Sequence, residues 1–236
     1  ALTPLVAHYK AEAAVPASRV IGKITASITK TANAAGESAL GDVIADAQWD
    51  ATDDPGFGEA VAAFMNPGGI RADLPYAASG KVDGDVTYGE AFTVQPFGNS
   101  LVTLTVTGAD IKTMLEQQFM GCTQGYPAGS TSTGQPYDRV LQVSRSVRYT
   151  YNASGAACAK VDASSLRING VVVDPAASYR ITVNSFLADG GDQFYALRNG
   201  SNRLGGAVDT DALEAYLTAN PAGVAPGAKD RITRLP

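Results

Sequence analysis

The run Leu101 to Phe119, LVTLTVTGADIKTMLEQQF, changes its hydrophobic period half-way along, and that change constrains the fold more than any other stretch of the chain. Leu101 to Val106 alternate as a strand with one buried face does, whereas Ile111, Met114, Leu115 and Phe119 recur at helical spacing. The run reads as a strand, a turn at Gly108 and a helix. Other segments mix the two periods in no regular order. Helices are expected near Leu5 to Ala13, over Gly36 to Thr52 (with Glu37 and Asp42 as an acidic first turn) and over Asp209 to Asn220, a capped amphipathic helix before Pro221. Strands are expected near Val20 to Ile28, Ala60 to Met65, Val140 to Tyr151, Ser165 to Val172 (with an Asn169-Gly170 turn) and Tyr179 to Val183. Gly121 to Tyr137 reads as a loop. Strands and helices that mingle without alternating predict an α+β fold, a single domain over 1–236 with a mixed β-sheet packed by helices.

A chain of 236 residues can bury roughly 70–75% of its unfolded surface, so a substantial core needs no staples. The net charge of −5 offers no basic face to a phosphate backbone, so nucleic acid is not an expected partner. No apolar run reaches the ~18–20 residues that span a bilayer, so no membrane insertion is expected, and any signal peptide is expected to lie outside the chain. Cys122 and Cys158 flank a segment rich in Gly, Ser, Thr and Tyr; one disulfide is the preferred reading over two separate buried thiols, and it would imply an oxidising compartment. The lone histidine, His8, sits in a short helical stretch near the start and reads as a surface or packing residue. One imidazole does not make a Ser-His triad or a metallohydrolase centre, so no catalytic residue, metal ligand or cofactor site is expected within the chain.

Three strand ends share a design, in which Gly or Pro presents an aromatic or polar side chain: NPGGIR (Asn66 to Arg71), QPFGN (Gln95 to Asn99) and NSFLADGGDQF (Asn184 to Phe194). Singly, each has a plain reading as a core Phe, a tight turn or a surface Arg. Together they offer the rings of Phe97 and Phe186, the Arg71 guanidinium, amides at Asn66 and Asn99, and the Asp192 carboxylate beside Gly190 and Gly191, with Gly68 and Gly69 allowing close backbone approach. If the turns converge, two rings can sandwich a base, an Asp can accept from ribose hydroxyls, and an Arg can fork onto phosphate.

In order and spacing, NPGGIR, QPFGNSLVTLTVTGADIKTMLE and ITVNSFLADGGDQF closely resemble the C-terminal domain of the 5'-nucleotidase family, which includes UDP-sugar hydrolases and cyclic-nucleotide phosphodiesterases. GESALGDVIADA and DTDALEAYLTAN resemble that domain's first and closing helices, and the likeness runs from about Ile21 to Ile232. The resemblance implies a substrate-binding domain, with residues 1–20 a linker helix from an N-terminal metallophosphoesterase domain of the same polypeptide. That domain would hold the divalent metals, zinc, manganese or similar, and the catalytic groups. It further implies Phe97 and Phe186 as the base-stacking pair, Asp192 as the ribose ligand, Asn66 as a base or ribose contact and Arg71 as a phosphate contact. The implied setting is secreted, periplasmic or cell-surface, with this chain inactive alone. The sequence departs from the family's pattern at Ala34, where a phosphate-binding Arg is common, at Gln193, where Gly is common, and at Pro67, where a small residue is common. The missing Arg motivates an alternative, a non-catalytic ligand-binding or structural module of a cell-surface protein.

Overall fold

The computed structural model describes residues 2–78 and 80–236. Along the chain run α1 (Thr3–Ala17), β1 (Val20–Lys23), α2 (Ala39–Asp50), β2 (Ala62–Met65), β3 (Asp85–Thr87), α3 (Tyr88–Val94), β4 (Ser100–Thr107), α4 (Gly108–Gln117), β5 (Gln142–Val143), β6 (Val147–Asn152), β7 (Arg167–Ile168), β8 (Val171–Val172), β9 (Ser178–Asn184), α5 (Ser185–Ala188), β10 (Ser201–Val208), α6 (Asp209–Ala219) and β11 (Ile232–Leu235). Short 3₁₀ turns occupy Pro67–Gly69, Gly191–Gln193 and Tyr195–Asn199.

A strand buried at every residue must lie inside a sheet, and β2 is one. It pairs in parallel with β9 and antiparallel with β5, in a five-stranded mixed sheet of order β10-β4-β9-β2-β5. Successive β2 side chains serve opposite faces, as the pleat requires. Phe64 joins Leu104, Ile181 and Val183 against α4 and the second sheet (β11-β6-β7-β8), while Met65 packs with Leu40 and Ile44 of α2 and Leu213 and Leu217 of α6. Between sheet and α2 the hydroxyls of Thr52, Thr182 and Thr103 form a buried chain, with O···O distances of 2.7 and 2.9 Å, so polar side chains on a buried face are satisfied by one another.

Several elements differ from the sequence expectation for identifiable reasons. No turn separates β4 from α4. Gly108 is the first helical residue, and Thr107 caps it with Asp110 in a reciprocal box (3.1 Å for each backbone N–H donation). Helix α2 starts at Ala39 under Ser38, whose Oγ accepts from Gly41 N at 3.1 Å. Glu37 therefore lies outside the first turn, and its carboxylate accepts from the backbone N–H groups of Arg231 (2.9 Å) and Ile232 (3.1 Å). Helix α6 lacks the expected side-chain cap, since Val208 occupies the N-cap. The expected strand over Val140 to Tyr151 is broken into β5 and β6, and the one near Val20 is only four residues long. The Asn169-Gly170 turn joins β7 to β8, with both residues in left-handed conformation (φ 50° and 79°). Helix α3 was not expected. Helix α1 is longer than expected and buries none of its described side chains. Cys122 and Cys158 form a disulfide across 36 residues, which settles their alternatives. No described helix is long and apolar enough to cross a membrane.

One buried cluster has more acid than base. Arg231 pairs with Asp46 through two 2.8 Å contacts and stands 3.7 Å from Asp42. Neither Asp42 carboxylate oxygen has a hydrogen-bond partner, and burial, with Glu37 and Asp46 nearby, pushes its carboxyl up to about 8 against the pull of Arg231. The folded protein thus holds a proton that the unfolded chain releases near the ordinary Asp value, so stability falls as pH rises from about 4 towards 8 and levels off above. Asp42→Asn removes the titrating group. Thermal unfolding followed by circular dichroism should show the wild-type Tm falling between pH 5 and pH 8, and the variant melting roughly 4–8 °C higher than wild type at pH 8 with little difference at pH 5; parallel pH curves for the two proteins would refute the assignment.

Candidate functional site

Sheet topology brings the three expected turns to one place. Because β2 and β9 are parallel, Asn66 and Asn184 leave the sheet at the same edge. Strand β4 is antiparallel to β9, with Leu101 opposite Asn184, so the QPFGN turn that precedes β4 reaches that edge too. The same logic adds a fourth segment. Strand β5 is antiparallel to β2, with Gln142 opposite Met65, so the residues before Gln142 arrive at the same edge. There the chain encloses a cavity of about 760 Å³, walled by Asn66, Pro67, Gly68, Gly69 and Arg71 from the first turn, Phe97 and Asn99 from the second, Phe186 and Asp192 from the third, and Tyr137, Asp138 and Arg139 from the fourth.

In the first wall, the Pro67–Gly69 turn is closed by Gly69 N donating to Asn66 O at 3.1 Å. Gly68 presents bare backbone to the cavity, and a Cβ there would stand 3.5 Å from Asp192 Oδ2. Gly69, also on the cavity wall, makes room for the core as well: a Cβ would come within 2.4 Å of Met65 Cε. The Arg71 side chain folds back, with Nη1 donating to Gly68 O at 3.0 Å and the guanidinium 5.7 Å from the Phe97 ring centroid. Asn66 is a bridge. Only 4% exposed, it accepts from Asn184 Nδ2 at 2.9 Å and donates to Asp192 Oδ2 at 3.0 Å.

Phe97 and Phe186 are 58% and 46% exposed, which rules out the core reading for both. Phe186 is carried by α5, whose first turn is capped by Asn184 Oδ1 accepting from Leu187 N at 2.9 Å. Gly191 touches Phe186 instead of lining the cavity, for a Cβ there would lie 2.5 Å from Phe186 O and 2.6 Å from its ring. Asn99 lines the cavity and also anchors the start of α6, its backbone carbonyl accepting from Asp209 N at 2.9 Å; burial raises the Asp209 carboxyl.

Asp192 and Gln193 both adopt left-handed backbone (φ 50° and 66°), a strained arrangement for residues with a Cβ. The fourth segment holds them there. Arg139 Nη1 pairs with Asp192 Oδ1, Gln135 Nε2 donates to the Asp192 carbonyl, and Gln193 Oε1 accepts from Ser132 Oγ and from Tyr126 OH at 3.3 Å. The departure at Gln193 thus ties the site to the loop that the disulfide closes. Ala34 does not line the cavity; the cationic side chains on its described walls are Arg71 and Arg139. His8 stands exposed on α1, and among the described residues no three His, Cys, Asp or Glu side chains are grouped to hold a metal.

The family model for the 5'-nucleotidase C-terminal domain matches residues 20–199. The chain belongs to that family. Among curated relatives, 177 residues are 34% identical to a Listeria monocytogenes cell wall protein (74% of this chain, 20% of that one), and 143 residues are 30% identical to a probable 5'-nucleotidase of Treponema pallidum (60% and 22%). A 5'-nucleotidase precursor from Thermus thermophilus superposes over 99% of this chain and 43% of its own, with a TM-score of 0.74 and 29% identity. The chain spans about a fifth of the length of the two curated relatives. In this 5'-nucleotidase C-terminal domain the cavity walls lie within the matched residues, 66 to 192.

The clash at Gly191 gives a direct check on the third wall. Gly191→Ala should displace the Phe186 ring from the cavity and lower stability by about 1–3 kcal/mol, measured by crystallography and urea unfolding. An unmoved ring at unchanged stability would contradict it.

Proposed function

We propose that this domain holds the nucleoside part of a nucleotide for a hydrolase whose metal-dependent phosphoesterase domain lies elsewhere in the same polypeptide. The observation that carries the reading is the pair of half-exposed rings, Phe97 and Phe186, on one cavity with the Asp192 carboxylate. Large apolar side chains left in water at a concave site favour a flat apolar ligand. Each Asp192 oxygen receives one described protein donor, from Arg139 or Asn66, and retains lone-pair capacity for a ligand hydroxyl. Arg71, at the mouth, can exchange its contact with Gly68 O for a phosphate oxygen.

The metals, zinc, manganese or similar, belong in this reading to the other domain, as the family resemblance implies. The setting is secreted, periplasmic or cell-surface, which the disulfide and the cell wall relative support. That relative also favours a second reading, a ligand-binding or structural module of a surface protein without hydrolysis. Release of phosphate from AMP by the full-length protein separates the two.

Binding itself is tested on this domain by calorimetry with AMP and adenosine. A single half-site should bind AMP with a Kd of about 0.1–1 mM. Phe186→Ala and Asp192→Ala should each weaken both ligands about tenfold or more, whereas Arg71→Ala should weaken AMP far more than adenosine. No wild-type binding at millimolar ligand, or equal binding by all variants, would remove the assignment.

A further inference from the structure

We propose that Arg139 is a positioning residue that fixes Asp192 as a hydroxyl acceptor and so makes the cavity select ribose over deoxygenated sugars. The proposal rests on the nucleoside reading above and adds to it a residue from the fourth wall. Asp192 occupies a backbone region that it does not favour, so its carboxylate direction depends on what holds it. Two donors hold the carboxylate from opposite sides. Arg139 Nη1 takes Oδ1, and Asn66 Nδ2 takes Oδ2 at 3.0 Å.

The Asn66 side of this clamp is fixed by the sheet. Asn184 donates to Asn66 Oδ1 at 2.9 Å, which leaves the amide nitrogen to face Asp192. The Arg139 side is fixed by α4 and its own neighbour: the Arg139 backbone N–H donates to Gln118 O at 2.7 Å, and the guanidinium lies 4.8 Å from the Tyr137 ring centroid. With side chains 23% and 18% exposed, Arg139 and Asp192 form a sheltered pair, unlike a surface ion pair that contributes almost nothing. Both carboxylate oxygens are thereby fixed in direction, each with lone-pair capacity left, and a rigid pair of acceptors suits two neighbouring hydroxyls on one ring. A ligand lacking those hydroxyls leaves the acceptors unpaired in a sheltered site, which penalises it.

The test compares adenosine, 2',3'-dideoxyadenosine and AMP by calorimetry on the wild type, Arg139→Gln, Arg139→Lys and Asp192→Asn. Arg139→Gln should weaken adenosine about tenfold, leave dideoxyadenosine unchanged and leave the AMP-to-adenosine ratio unchanged, so that its ribose preference falls to that of Asp192→Asn. Arg139→Lys should restore part of the preference. Hydrogen exchange at the Asp192 to Phe194 amides, read without ligand, should quicken in Arg139→Gln and recover in Arg139→Lys. A larger loss for AMP than for adenosine would make Arg139 a phosphate ligand and overturn the proposal, as would unchanged adenosine binding. If no protein binds any of the three ligands, the nucleoside reading and the ribose selectivity fall together, while exchange still decides whether Arg139 positions Asp192; unchanged exchange would overturn that as well.

Discussion

The parallel pairing of β2 with β9 is the constraint on which the rest of the structure depends. Ala62 stands opposite Ile181 and Ala63 opposite Thr182, with antiparallel partners on either side. Reverse the direction of β2, and the Asn66 and Asn184 turns would emerge at opposite ends of the sheet. Slip its register by one residue, and Phe64 and Met65 would exchange cores. A four-residue strand can set this much because it is buried on both faces, so each side chain has one place to go.

Two polar assemblies sit near the end of this strand and show opposite solutions to burial. Around the cavity, Asn184, Asn66, Asp192 and Arg139 form a continuous series in which each link has a described partner. Near α2 and β11, Asp46 and Glu37 are well bonded but Asp42 is left with burial and no hydrogen-bond partner. The first arrangement favours one geometry. The second favours one protonation state.

What was legible in the sequence follows from which signals are local. The period change after Leu101, the amphipathic helices and the Gly-Pro turns are written in neighbouring residues, and they led to the sheet, the helices and most of the cavity walls. Convergence of the turns was not readable, because it depends on strand direction and order. The fourth wall was missed because β5 is two residues long and carries no period, so nothing announced that Tyr137, Asp138 and Arg139 would reach the sheet edge. Helix α3 was missed although its signal was present: Thr87 and Glu90 form a capping box. Roles were harder than positions. Asn66 lines the cavity and also bridges Asn184 to Asp192, and Gly191 packs against Phe186, second tasks that no local signal announces.

The cavity walls do not share one kind of anchorage. Three arise directly at the ends of core strands β2, β4 and β9, where a change of length would disturb the sheet. The segment before Tyr137 is instead tied down piecemeal: by the cross-link at Cys122, by Gln117 Nε2 of α4 donating to Gln124 O at 2.7 Å, by a bridge between Met120 and Gln135, and by side-chain contacts to Gln193 and Asp192. Changes between Thr123 and Gly134 that spare Tyr126 and Ser132 therefore leave the three strand-end walls in place, whereas changes at those two residues release Gln193. The fourth wall itself, at Tyr137 to Arg139, is moored to the end of α4, so the loop ahead of it can vary while the cavity keeps its shape.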